Sequence, residues 1–246
     1  MKEKVANLAK WGGCGIEFGG DPSGRIAEIK EALNGTGVKV SALCWGSCAG
    51  DLVSLDADKR KKGVAALKNA LATAGELEST GVIFVPCFHK QSTLAAAELD
   101  KILLEILPGL GEHAVKCGSR VLLEPLNKGE TFYLNRVGHA AEICRKVNHP
   151  GVCLMGDFYH MSKEESDQTQ AFIEGGPWLH HVHLATGKSR ILPAQEEHSY
   201  VAGFKGLKQT GYQDFCSLEC GLKKNTDPMV EIPKAFEFLR KQWQEA

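Results

Sequence analysis

The sequence predicts an α/β protein folded as a single (β/α)8 barrel whose first strand is absent or atypical. Short apolar runs rich in Val, Leu, Ile and Cys alternate with longer stretches of helical periodicity along the whole chain, the pattern of parallel strands covered on both faces by helices. The length of 246 residues suits one such barrel, which takes about 250. No Gly/Ser/Pro-rich linker, low-complexity tract or fixed-period repeat interrupts the alternation, so residues 1–246 read as one domain. An open doubly wound sheet would show the same alternation. However, the first strand-to-helix turn, FGGDPSG, lacks the G-x-G-x-x-G spacing and no G-x4-G-K-[ST] occurs, which leaves a nucleotide-binding sheet without a phosphate-cradling loop.

A helix-like stretch, Glu3–Lys10, opens the chain and the strand-like GIEF (Gly15–Phe18) follows. Asp21 and Pro22 then give the cap and first turn of a helix over Pro22–Leu33. Next come the strand Val38–Trp45, the helix Lys59–Ser79, the strand Val82–Phe88 and the helix Thr93–Cys117, in which Pro108-Gly109 is expected to kink or split the helix. The strand Ser119–Asn127 leads to the helix Thr131–Val147. The strand Val152–His160 leads to the helix Ser162–Ile173, where Ser162 and Glu165 have the spacing of a capping box. The strand Leu179–Ala185, the helix Phe204–Thr210, the strand Phe215–Cys220 and the helix Pro228–Trp243, with Asp227 as cap, complete the order. Eight helices thus accompany seven strands. Either the first strand lies upstream of Met1, or seven strands close the barrel, or it stays open between GIEF and FCSLEC.

Charge narrows the partners. With 29 Lys+Arg against 30 Asp+Glu the net charge is -1, so neither nucleic acid nor an anionic membrane surface is an expected partner. No run of eighteen apolar residues occurs and MKEKVANLAK has no signal-peptide features, which predicts a soluble, cytoplasmic protein. The nine cysteines are an odd number and lie mostly in apolar runs, as reduced, buried thiols do. Their two C-x3-C spacings do not match a structural zinc site.

In a barrel the reacting groups stand at the C-terminal ends of the strands. Glu124 closes VLLEPLN, Asp157 and His160 close VCLMGDFYH, His183 closes HHVHL and Glu219 closes FCSLEC. Any one of these alone is an ordinary cap or salt-bridge partner. Together, four consecutive strands end in a carboxylate or imidazole, and burying such groups costs several kcal/mol each unless they are paired or bind a metal. Three carboxylates and one imidazole form a hard donor set suited to Mn²⁺, Mg²⁺ or Co²⁺. Alternation places His181 and His183 on one face of their strand and His180 on the other. Glu17, Trp45 and His89 also sit at strand ends and are further pocket residues, and the aromatics Phe88, Phe158 and Tyr159 can close a pocket.

The segments LEPLN, GDFYHM, HVHLA and SLE occur in this order, with 33 residues from Glu124 to Asp157, 26 from Asp157 to His183 and 36 from His183 to Glu219. They resemble the xylose-isomerase-like TIM barrels, and within these the ketose 3-epimerases of the D-tagatose 3-epimerase type and hydroxypyruvate isomerase. The resemblance implies one divalent metal ion, Mn²⁺ foremost, held by Glu124, Asp157, His183 and Glu219. It implies substrate binding by His160 and Arg190, and a small sugar or hydroxy-carbonyl substrate. The activity implied is a metal-dependent isomerase or epimerase working through a metal-stabilised enediolate, with Glu124 and Glu219 as the acid–base pair and a homo-oligomer as a further expectation. An inosose-type dehydratase with the same metal site and a catalytically silent barrel are the alternatives. After Arg190 the Pro-Gly-x-Gly turn usual in the family is replaced by PAQEEHSY, which leaves His198 as an extra residue.

Overall fold

The structure is a computed structural model and describes residues 1–246. The seven apolar runs form seven strands: β1 (Gly15–Gly19), β2 (Lys39–Gly46), β3 (Val82–Phe84), β4 (Val121–Leu123), β5 (Val152–Asp157), β6 (Leu179–Leu184) and β7 (Cys216–Leu218). All neighbours are parallel and the order is sequential from β1 to β7. That order winds one way around an axis, as in a barrel, where a doubly wound sheet would reverse it.

No ladder joins β1 to β7, so these seven strands do not close the barrel by themselves. Side chains hold the seam instead. A Cβ on Gly15 would stand 2.7 Å from the ring of Phe215, so glycine is what lets the two edges approach here. The hydroxyls of Ser41 and Ser217 lie 3.0 Å apart across the interior.

Strand alternation separates two cores. Ala42, Cys44, Ile83, Leu122, Cys153 and Met155 face the axis and fill the barrel floor. Their neighbours Leu43, Val82, Phe84, Val121, Leu123, Val152 and Leu154 face the helices, which explains why the strands read as unbroken apolar runs.

Nine helices surround the sheet: α1 (Lys2–Lys10), α2 (Ile26–Leu33), α3 (Ala57–Glu76), α4 (Ala96–Cys117), α5 (Val137–Val147), α6 (Phe158–Glu164), α7 (Gln168–Gly175), α8 (Val201–Gln209) and α9 (Pro228–Glu245). Pro108 does not split α4. The proline costs about 3 kcal/mol, but Leu103, Leu107, Leu110 and Ala114 are fully buried along the same face, and each leucine recovers roughly 1.5–3 kcal/mol. Ser162–Ile173 is not one helix but parts of two. Asp157 accepts from the Tyr159 N–H at the start of α6, and Asp167 accepts from the Gln170 N–H at the start of α7. Ser162 lies inside α6 and donates to the Tyr159 carbonyl, while Glu165 accepts from the Val137 N–H, so the capping box does not form. Asp227 caps α9 through the Met229 N–H with Pro228 in the first turn, as expected. Asp21 accepts from the Ser23 N–H and starts a short 3-10 turn ahead of α2. The cysteines are all free; Cys87, Cys144 and Cys153 are buried, whereas Cys14 and Cys216 are exposed beside the open seam.

Candidate metal centre and active site

Glu124, Asp157, His183 and Glu219 come together at the C-terminal end of the barrel, their ligand atoms all within 4.8 Å of one another. Short strands place them. Asp157 ends β5 and is the register partner of His183 on β6. Glu124 and Glu219 follow β4 and β7 by one residue, and their N–H groups donate to the carbonyls of Phe84 and Leu184, which extends the strand geometry to the functional residue. Three of the four are buried and Glu219 is one-third exposed, facing the opening.

Burial without full pairing is the electrostatic signature of the cluster. Desolvation, with the charges of Glu219 and Asp157 adding to it, raises the Glu124 carboxyl well above its usual range despite His183. Desolvation likewise pushes Asp157 up to about 6, against the pull of His183 and Arg190. Glu219 goes the other way: although burial opposes it, His183 and Arg190 bring it down to about 2. Glu124 Oε1 and His183 Nδ1 are buried and lack a hydrogen-bond partner. The His183 Nδ1 lies 3.0 Å from Glu219 Oε2 and 3.8 Å from Glu124 Oε1 without hydrogen-bond alignment.

Glu17, from β1 on the other side of the seam, reaches over to β6. Its carboxylate lies 2.8 Å from His181 Nε2 and 3.0 Å from His183 Nε2. Burial would raise its pKa, but the charge of His183 and the two imidazole contacts hold it far below the usual carboxylate range. His180 faces outward and pairs with Asp214 at 2.7 Å, so the alternation expected for the three histidines is found.

His160 is not on a strand, because β5 ends at Asp157; it stands in the first turn of α6. Its Nδ1 accepts from the N–H of Asn127 at 3.1 Å and faces the Asn127 amide at 2.7 Å. The proton therefore resides on Nε2, which lies 3.4 Å from Asp157 Oδ2 with no aligned partner. Arg190, in the left-handed conformation at φ 51°, donates to Glu219 and, at 3.2 Å, to Asp157. Its guanidinium lies 4.8 Å from the centre of the Tyr159 ring and 3.7 Å from Glu130.

The remaining expectations divide. Trp45 packs on Phe84 with ring centres 6.3 Å apart in the helix-facing core, because Cys44, one residue earlier, takes the axis-facing position and approaches Glu219 at 3.8 Å. His89 is exposed on the rim, bonded to the Lys128 carbonyl and stacked on Phe132. Phe158 is fully buried among Phe172, Tyr200 and Phe204. His198 rests edge-on against Tyr200, ring centres 4.6 Å apart. Asn127 and Glu130 were missed. Asn127 closes LEPLN and carried a strand-end signal, whereas Glu130 lies in a loop whose path the sequence does not reveal.

The sequence profile of the xylose isomerase-like TIM barrel family matches residues 5–242. The chain belongs to this family. It is 28% identical to the 3-dehydro-D-guloside 4-epimerase of Escherichia coli (strain K12) over 97% of this chain and 93% of that protein. It is 26% identical to a probable ketose 3-epimerase of Synechocystis sp. over 85% of this chain and 75% of that one. Among solved structures, the apo form of 3-keto-D-glucoside 4-epimerase from E. coli superposes with a TM-score of 0.86 at 25% identity, over 98% of this chain and 94% of that one. A D-psicose 3-epimerase with D-tagatose from Clostridium cellulolyticum H10 has a TM-score of 0.88 at 21% identity, over 98% and 93%, and speaks for the fold.

Proposed function

We propose that this chain is a divalent-metal-dependent epimerase or isomerase of a small ketose or related carbonyl sugar. The observation that carries the proposal is the convergence of Glu124, Asp157, His183 and Glu219, with two buried donor atoms facing the cluster unpartnered. Three carboxylates and one imidazole offer mostly hard oxygen donors, and buried charges of this kind need a counter-charge that Arg190 supplies only in part. The set fits one divalent cation, with Mn²⁺ our choice over Mg²⁺ and Co²⁺. The names of the relatives, epimerases of keto-sugars, support the same chemistry.

The C–H beside a ketone is too weak an acid for a carboxylate alone. A bound divalent ion supplies Lewis acidity toward the carbonyl oxygen, worth several kcal/mol of developing charge. The protein supplies the rest. Glu124 and Glu219 follow the outer two of four consecutive strands, and as acid–base pair one would remove a proton from one face of a carbon and the other return one to the opposite face. His160, held by Asn127, offers its Nε2–H to a substrate oxygen. Arg190 presents a fork of donors above Tyr159 for further oxygens.

The test is a panel of ketoses, ketose phosphates, hydroxypyruvate and inososes incubated in D₂O with Mn²⁺ and followed by NMR. Deuterium should enter at the carbon beside the carbonyl, and Glu124→Gln and Glu219→Gln should each abolish it with the fold intact. Exchange that persists in both variants would place the acid–base groups elsewhere. Net loss of water from an inosose would mark a dehydratase, and no exchange with any substrate would mark a silent barrel.

A further inference from the structure

We propose that Glu17 is a positioning residue of the metal centre, fixing the tautomer and orientation of His183 so that Nδ1 is bare and turned toward Glu124 and Glu219. The inference rests on the metal-dependent reading above. A neutral imidazole carries one proton, and which nitrogen bears it is set by what the other faces. Both oxygens of the Glu17 carboxylate lie 3.0 Å from His183 Nε2. An ionised carboxylate only accepts, so when a cation displaces the Nδ1 proton the remaining proton stays on Nε2 and the Nδ1 lone pair is left for the cluster. Carboxylate–imidazole–metal relays of this kind set ligand geometry and basicity in metal sites.

The carboxylate is itself held. His181 Nε2 approaches Glu17 Oε2 at 2.8 Å, and His181 lies two residues from His183 on the same strand face, fully buried. Glu17 thus sits between two donors on one rigid strand, and its own strand, β1, stands across the open seam from β7. The side chain is 15% exposed, so few waters compete for its oxygens. Glu17, His181 and His183 also form a three-donor group of their own. That group shares His183 with the main cluster, and a second ion there would need an imidazole deprotonated on both nitrogens. Positioning needs no such step.

The experiment is a titration of the metal-free protein with Mn²⁺, read by the loss of the free-ion EPR signal, and with Co²⁺, read by its visible absorption. Wild type, Glu17→Gln and Glu17→Leu are compared, with circular dichroism as the check on folding. Wild type should take up one equivalent. Glu17→Leu should bind Mn²⁺ about 10–100-fold more weakly with a changed Co²⁺ spectrum. Glu17→Gln, whose amide oxygen still accepts from Nε2–H, should lie between the two. Should Glu17→Leu fail to fold, Glu17→Gln decides: an affinity and Co²⁺ spectrum equal to wild type overturn the proposal. So do variants that match wild type throughout, or two equivalents bound by wild type and one by the variants. A wild type that takes up no metal overturns the metal reading itself, an outcome separate from these.

Discussion

His160 ties the site to the pH dependence of the fold. Burial, with the charge of Arg190 beside it, holds its imidazole down to about 3, from 6.5 when unfolded. Between these values the folded protein binds fewer protons than the unfolded chain, so the stability due to neutral His160 is complete above pH 6.5 and is lost as pH falls toward 3. Asp157 acts in the opposite sense in the same window. Its carboxyl is raised from 3.8 to about 6 by burial, so its contribution is present below 3.8 and lost as pH rises through 6. The span for His160 is the larger, so of these two groups His160 sets the sign on acidification. In His160→Asn, whose amide does not titrate, the melting temperature should fall less steeply between about pH 7 and pH 4. Equal slopes for the two proteins would show that His160 titrates freely. In the same apo protein, Asp157→Asn should abolish uptake of Mn²⁺ while raising or preserving the melting temperature at neutral pH, because burial disfavours the Asp157 charge by more than Arg190 and the Tyr159 N–H offset. Retained uptake at wild-type affinity would remove Asp157 from the ligand set.

The elements that carry these residues were legible in the sequence to different degrees, for physical reasons. Glu124, Asp157, His183 and Glu219 could be found because each closes an apolar run, and the barrel puts all such ends on one face. Glu17 carried the same signal more weakly, in the short run GIEF, and nothing in the sequence shows that its side chain crosses the seam to β6. Trp45 was misplaced because alternation fixes a face only once the register is known, and Cys44 holds the axis-facing position. The early start of α6 was hidden because Asp157 serves both as the end of a strand and as a helix cap. A prediction belongs to these short helices. On α8, a Cβ at Gly203 would stand 2.4 Å from two ring carbons of Phe158 and 3.0 Å from Phe172. Phe158 has no room to withdraw, being fully buried against Phe172, Tyr200 and Phe204. Alanine gains about 0.8–1 kcal/mol of helix propensity over glycine, and overpacking costs about 1–3 kcal/mol. Gly203→Ala should therefore lower stability to denaturant by up to about 2 kcal/mol, and the displaced Phe158 should shift His160 on the same helix. A variant as stable as wild type or more so would show that helix propensity outweighs the contact.

At the scale of the whole molecule the open seam is the feature that sets β1 and β7 apart. Each of the five strands between them has a ladder on both sides. The strands β3, β4 and β5 are buried along their entire length, whereas most of β1 and all of β7 are at least partly exposed. Edge backbone groups without a partner strand exchange with solvent and are the groups on which another chain can pair. Two residues of the candidate site lie beside this seam, Glu17 on β1 and Glu219 just after β7, while Glu124 and Asp157 belong to the closed part of the sheet. Local opening is therefore expected to have different consequences for the two halves of the candidate metal site: it separates Glu17 from the histidines of β6 before it disturbs the Glu124–Asp157 side. Amide hydrogen exchange followed by mass spectrometry should find β1 and β7 exchanging faster than β3, β4 and β5 in the metal-free protein. Added Mn²⁺ should slow β7, since Glu219 would then be tied to β4, β5 and β6 through a common ion. Equal protection of all seven strands would mean that the edges are covered in solution, and protection of β7 unchanged by Mn²⁺ would mean that Glu219 does not join the ligand set.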